Sequence, residues 1–118
     1  MSLFIDAVKT GRSLVFVQTL RQHDQVRAAL KAARIPYVST YEWGALNALV
    51  KYDGLIGKTK VLLATVPALT SGCAIRADRT IWFRGDSYSH TSSFCAQAMC
   101  RVREPYAQRL YMDEGEIS

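Results

Sequence analysis

Five short apolar runs, each followed or preceded by helix-like sequence, constrain this chain more than any other feature. The runs are Leu14-Val15-Phe16-Val17, Pro36-Tyr37-Val38-Ser39, Val61-Leu62-Leu63-Ala64, Thr80-Ile81-Trp82-Phe83 and Arg109-Leu110-Tyr111-Met112. The first is rich in β-branched and aromatic residues, and each reads as a strand. Residues 22–34 place Val26, Leu30 and Ala33 on one helical face. Ser39-Thr40-Tyr41-Glu42 has the pattern of a capping box, with Ser39 as N-cap and Glu42 at N3. The helix it opens should carry Leu46, Leu49 and Val50 inward and stop at Asp53-Gly54. Residues 93–103 read as a further helix bearing Phe94, Ala98 and Val102, and residues 3–9 as a short one. Strands alternating with helices imply βαβ units. The expected fold is a three-layer α/β domain with about five mostly parallel strands flanked by helices. In such sheets ligands bind beyond the carboxyl ends of the strands, so functional residues should follow each strand.

The 118 residues suffice for one domain, expected over residues 1–112, with an acidic, frayed tail over 113–118. The apolar runs 45–50 and 61–64 fall far short of the ~20 residues that span a bilayer, and no signal-peptide pattern is visible. Cys73, Cys95 and Cys100 make an odd count without framework spacing, which favours reduced thiols and a cytoplasmic setting. The net charge is +5 even with three acids in the last six residues, and ten of the fifteen bases are arginine. A basic body of this kind is compatible with a nucleic-acid or nucleotide partner.

Gly57-Lys58-Thr59 imitates the end of a phosphate-binding loop. The full pattern needs glycine five positions earlier, where Tyr52 stands, and it needs a strand before it and a helix after it. Here a helix precedes and a strand follows, so the segment reads as a turn. His90, Cys95 and Cys100, spaced by five, do not converge on a helix, and no metal site is expected. His23 stands beside Asp24 at a helix start with no partner visible in the sequence. The run from Ala64 through Thr65 to Ser71-Gly72 is rich in hydroxyls, and Thr65 at a strand end is placed to donate to a phosphate. Gln97 and Arg101 share a helical face at i and i+4, and Pro105 ends that helix soon after Arg103.

In this order, Phe16-Val17-Gln18-Thr19, then Val61 through Thr65 to Ser71-Gly72, then Gln97 to Arg103 resemble motifs IV, V and VI of superfamily 2 helicases. The resemblance is to their second, C-terminal RecA-like domain and covers nearly the whole chain. The Gln-x-x-x-Arg-Val-Arg form is most similar to helicases of viral and phage replication or origin-binding type, which implies a host cytoplasm. The sequence departs from the family at Cys100, where glycine is common, and at Cys73-Ala74-Ile75, where an acid often holds the nucleotide sugar. Glu104 stands where a second arginine is often found, leaving Arg103 as its stand-in.

The resemblance implies roles. Gln18, Thr19, Thr65, Ser71 and Gly72 would contact nucleic-acid phosphates, of single-stranded DNA or RNA. Gln97, Arg101 and Arg103 would face a nucleoside triphosphate, where an arginine finger supplies ~10³–10⁵ in rate. ATP and Mg²⁺ would be held only with a RecA-like partner domain, because the phosphate-binding loop and the acidic Mg²⁺ motif are absent from this sequence. The chain alone is therefore expected to bind no cofactor and to hydrolyse no ATP. A second reading is a standalone module that binds single-stranded nucleic acid, or docks on another helicase or replication protein and regulates it. A third, weaker one is an α/β enzyme with Cys95 or Cys100 as nucleophile, although no base is placed beside either thiol.

Overall fold

Residue parity along the central strand divides the core in two. In β1 (Arg12–Val17), Leu14 and Phe16 point to one face of the sheet, and Val15 and Val17 to the other. All four are fully buried, as a strand covered on both faces requires. The computed structural model describes residues 3–57, 59–65, 77–83 and 108–117. Its elements follow the order α1 (Leu3–Val8), β1, α2 (Leu20–Ala32), β2 (Tyr37–Ser39), α3 (Thr40–Trp43), α4 (Ala45–Asp53), β3 (Lys60–Thr65), β4 (Arg79–Phe83) and β5 (Gln108–Met112). A 3₁₀ turn, Glu114–Glu116, follows.

Among the described residues, the five strands form one sheet in the order β2-β3-β1-β4-β5, and every neighbouring pair is parallel. The expected α/β architecture is therefore present, with all pairs parallel rather than most. On one face, Ala48 and Tyr52 of α4 pack against Leu14, Phe16, Val38, Leu62 and Trp82. On the other, Phe4 and Val8 of α1 and Val26 and Leu30 of α2 cover Val15, Val17, Leu63, Ile81 and Phe83.

Four details differ from the sequence expectation. The segment after Ser39 is two helices, because Gly44 sits at φ +78° and interrupts the first after four residues. The interruption resets the helical phase, and Val50 points outward at 72% exposure. The capping box is incomplete. Ser39 Oγ accepts from the Tyr41 N–H at 3.2 Å, while Glu42 accepts from Arg27 Nη1 at 3.0 Å instead of folding back. The tail is also not frayed, since Ile117 is buried in the cluster containing Phe4 and Val8. Finally, α2 begins at Leu20, capped by Thr19, and leaves Ala33 exposed. Its end is a Schellman motif. Ile35 N–H donates to the Leu30 carbonyl and Arg34 N–H to that of Lys31, with Arg34 itself at φ 58°.

Candidate functional site

The register of β1 on β3 decides where the site is. Val17 lies opposite Thr65, so both strands end at the same level. The segments leaving them, beginning with Gln18-Thr19 and with Thr65, therefore start side by side on the carboxyl edge of the sheet. Ser39, opposite Leu63, ends β2 on the same edge.

Thr19 has extended backbone (φ −129°, ψ 159°), as an N-cap residue should, and its Oγ1 accepts from the Gln22 N–H at 3.2 Å. A hydroxyl that accepts at a cap keeps its own proton to donate. Thr19 therefore caps α2 and still presents a donor at the positive end of a 13-residue helix. Gln18 is more committed. Its N–H donates to Gln22 Oε1 at 2.9 Å, and its Nε2 donates to the Phe83 carbonyl at 3.2 Å. This clasp ties the ends of β1 and β4 together and leaves one amide proton of Gln18 for another acceptor. The side-chain orientation of Thr65 is not described. Ser71, Gly72, Gln97, Arg101 and Arg103 lie outside the described residues, as do Cys73, His90, Cys95 and Cys100.

His23 is the residue of this edge that the sequence did not explain. It is 1% exposed, with Nε2 2.6 Å from Ser39 Oγ and Nδ1 3.3 Å from Asp24 Oδ1. One proton arrangement satisfies every group: Nδ1–H donates to Asp24, and the Ser39 hydroxyl donates to Nε2 while accepting from Tyr41 N–H. The chain order of groups imitates a hydrolase triad, but Ser39 is 1% exposed and no substrate carbon can approach its Oγ. The trio instead fastens β2 and α3 to the first turn of α2. Sixteen residues separate the two partners, and no local pattern signals the pair. The His23 ring also packs on Tyr41, with ring centroids 5.2 Å apart.

The opposite, amino edge carries a different kind of polar cluster. An open groove of about 520 Å³ is lined by Gly11, Arg12, Gly57, Lys60 and Asp78. Asp78 accepts from the Arg12 N–H at 2.8 Å and from Arg12 Nη2 at 3.3 Å. The backbone hydrogen bond leads in holding the Asp78 carboxyl below its ordinary range. Lys60 Nζ donates to the Tyr52 carbonyl at 3.1 Å and lies 4.7 Å from the Tyr52 ring centre. Burial pushes the Tyr52 hydroxyl up to about 12. These charges brace the starts of β1, β3 and β4 against each other. The Gly57 segment turns from α4 into β3, as its sequence context implies, and Thr59 Oγ1 donates to the Lys9 carbonyl at 3.3 Å.

Among the described residues no group of three His, Cys, Asp or Glu side chains could hold a metal ion, and no helix is long and apolar enough to cross a membrane.

The all-parallel five-stranded sheet, with helices on both faces and β1 at its centre, matches a RecA-like α/β fold. No family model matches the sequence, and no curated protein matches it. Among solved structures the chain is similar to the crystal structure of the C-terminal part of the Fun30 ATPase domain, with a TM-score of 0.66 at 12% identity. The match covers 96% of this chain and 40% of the other, so the chain spans less than half of that structure. At this identity the likeness shows the fold.

Proposed function

We propose that this chain is the C-terminal RecA-like half of a superfamily 2 helicase or translocase motor. The observation that carries the reading is the Val17–Thr65 register. It brings Gln18-Thr19 and Thr65, distant in sequence, to one edge of the sheet beside the capped start of α2. The fold shared with the C-terminal part of an ATPase domain supports the same kind of protein. The viral and phage type rests on the Gln97, Arg101 and Arg103 pattern alone.

In this reading the carboxyl edge grips single-stranded nucleic acid through phosphate contacts from Thr19, Thr65 and the Ser71-Gly72 backbone. The remaining amide proton of Gln18 adds a donor beside them. Gln97, Arg101 and Arg103 face ATP and Mg²⁺ held by a RecA-like partner domain. The chain alone hydrolyses no ATP, since it has no phosphate-binding loop of its own.

Fluorescence anisotropy of a labelled single-stranded oligonucleotide across a salt series tests the reading. Binding should weaken linearly on a log–log salt plot, with a slope of about −0.7 per phosphate neutralised. Thr65→Ala should weaken it ~3–10-fold, the loss of one phosphate hydrogen bond at about 0.5–1.5 kcal/mol. No binding at low salt would overturn the phosphate-gripping role.

A further inference from the structure

We propose that Trp43, exposed on α3 beside Lys51, is a base-stacking surface for single-stranded nucleic acid, with the Tyr41 ring on His23 offering a separate one, an inference that rests on the carboxyl edge being the nucleic-acid face. Tyr41 is 57% exposed and Trp43 50%, whereas Trp82 and Tyr52 are buried in the core. The rings of Tyr41 and Trp43 are instead carried on α3, directly after β2 reaches the carboxyl edge. The His23–Ser39 bond and the His23–Tyr41 ring contact fix α3 beside the first turn of α2, where Thr19 stands. Rings and phosphate donors are therefore held on neighbouring, fastened elements.

The charge around the rings fits a nucleotide rather than an apolar peptide. Lys51 Nζ lies 4.1 Å from the centre of the Trp43 ring and makes no ion pair among the described residues. Such an ammonium can turn from the ring to a phosphate when a base takes its place. The nearby carboxylates of Asp24 and Glu42 are both bridged by Arg27, at 3.5 and 3.0 Å, which limits their repulsion of a polyanion. Stacking on an aromatic ring tolerates any base, since every base has a π-face. It contributes binding that phosphate contacts cannot supply.

The test compares two oligonucleotides of about fifteen residues, long enough for one such surface. One is homopolymeric thymidine or uridine, and the other is its abasic counterpart with the same phosphates. The protein should bind the base-bearing strand about tenfold to a hundredfold more tightly. Trp43→Ala should erase most of that preference, bringing affinity for the base-bearing strand down toward that for the abasic one, while Trp43→Phe should retain it. Equal affinity of the unmodified protein for both strands, with salt-dependent binding intact, would overturn the stacking role and leave the phosphate-gripping role standing. It would also hand the exposed rings to a protein partner. Binding of neither strand at low salt would overturn both. The comparison on the unmodified protein decides the matter even if a variant does not fold.

Discussion

Gly11→Ala should destabilise the domain by ~2–4 kcal/mol, the combined cost of a left-handed L-residue and of a disturbed charge-assisted hydrogen bond. Gly11 has φ +77°, and a Cβ there would lie 2.7 Å from Asp78 Oδ2. That carboxylate is the acceptor of the Arg12 N–H, and Asp78 N–H in turn donates to the Arg12 carbonyl at 2.8 Å. Gly11 itself accepts from the Lys60 N–H at 3.2 Å. One methyl group would therefore displace the Asp78 carboxylate and disturb its hold on the Arg12 N–H at the junction of β1 and β4. Urea denaturation monitored by Trp82 fluorescence measures the loss. A variant within about 0.5 kcal/mol of the parent would show that the junction yields without cost. The sign of the pH dependence follows from Asp78, whose carboxyl is held low in the folded state. Its contribution is present above the ordinary carboxylate range and is lost as pH falls through the lowered value. Gly11→Ala should therefore matter less in acid than at neutral pH.

His23→Ala should cost ~2–4 kcal/mol, from the cavity left by a buried ring and the stranded Ser39 hydroxyl. A double-mutant cycle with Ser39→Ala separates these terms. The two substitutions share the 2.6 Å contact, so the double variant should be ~1–2 kcal/mol more stable than additivity allows. Strict additivity would mean that the contact holds nothing. Because the same bond fastens α3 to α2, His23→Ala should also loosen Tyr41 and Trp43, seen as broader ring signals or faster acrylamide quenching.

The architecture was legible because each strand carries its own signal. Leu14 to Val17 and Thr80 to Phe83 are apolar at nearly every position, which only a sheet covered on both faces demands. The neighbours in the sheet, β3 beside β1 and β4 beyond it, are set by tertiary packing. They entered only as the general expectation of parallel crossovers. The errors have local causes. Ser39 signalled a helix start correctly, but nothing nearby announced that Gly44 would take φ +78° and rephase the next helix. Ile117 is a lone apolar residue among acids, too weak a pattern to reveal a docked tail. Arg34 occupies a left-handed position that usually calls for glycine, so the end of α2 carried no punctuation.

The candidate site was legible in part. Thr19 and Gln18 do stand at the carboxyl edge, yet their roles as helix cap and strand clasp depend on Gln22 and Phe83. Residue type alone does not reveal such partners. His23 with Ser39, and the exposure of Tyr41 and Trp43, arise from contacts between elements far apart in sequence.

Chemical-shift mapping by NMR tests the central claim most directly, that the carboxyl edge is the nucleic-acid face. Titration with a single-stranded oligonucleotide at low salt should shift the amides of Gln18, Thr19, Leu20 and Arg21, and of Thr40 to Trp43. The amides of Gly11, Arg12, Lys60 and Asp78 at the amino edge should stay in place. Shifts concentrated at the amino edge, or none at either, would contradict the account.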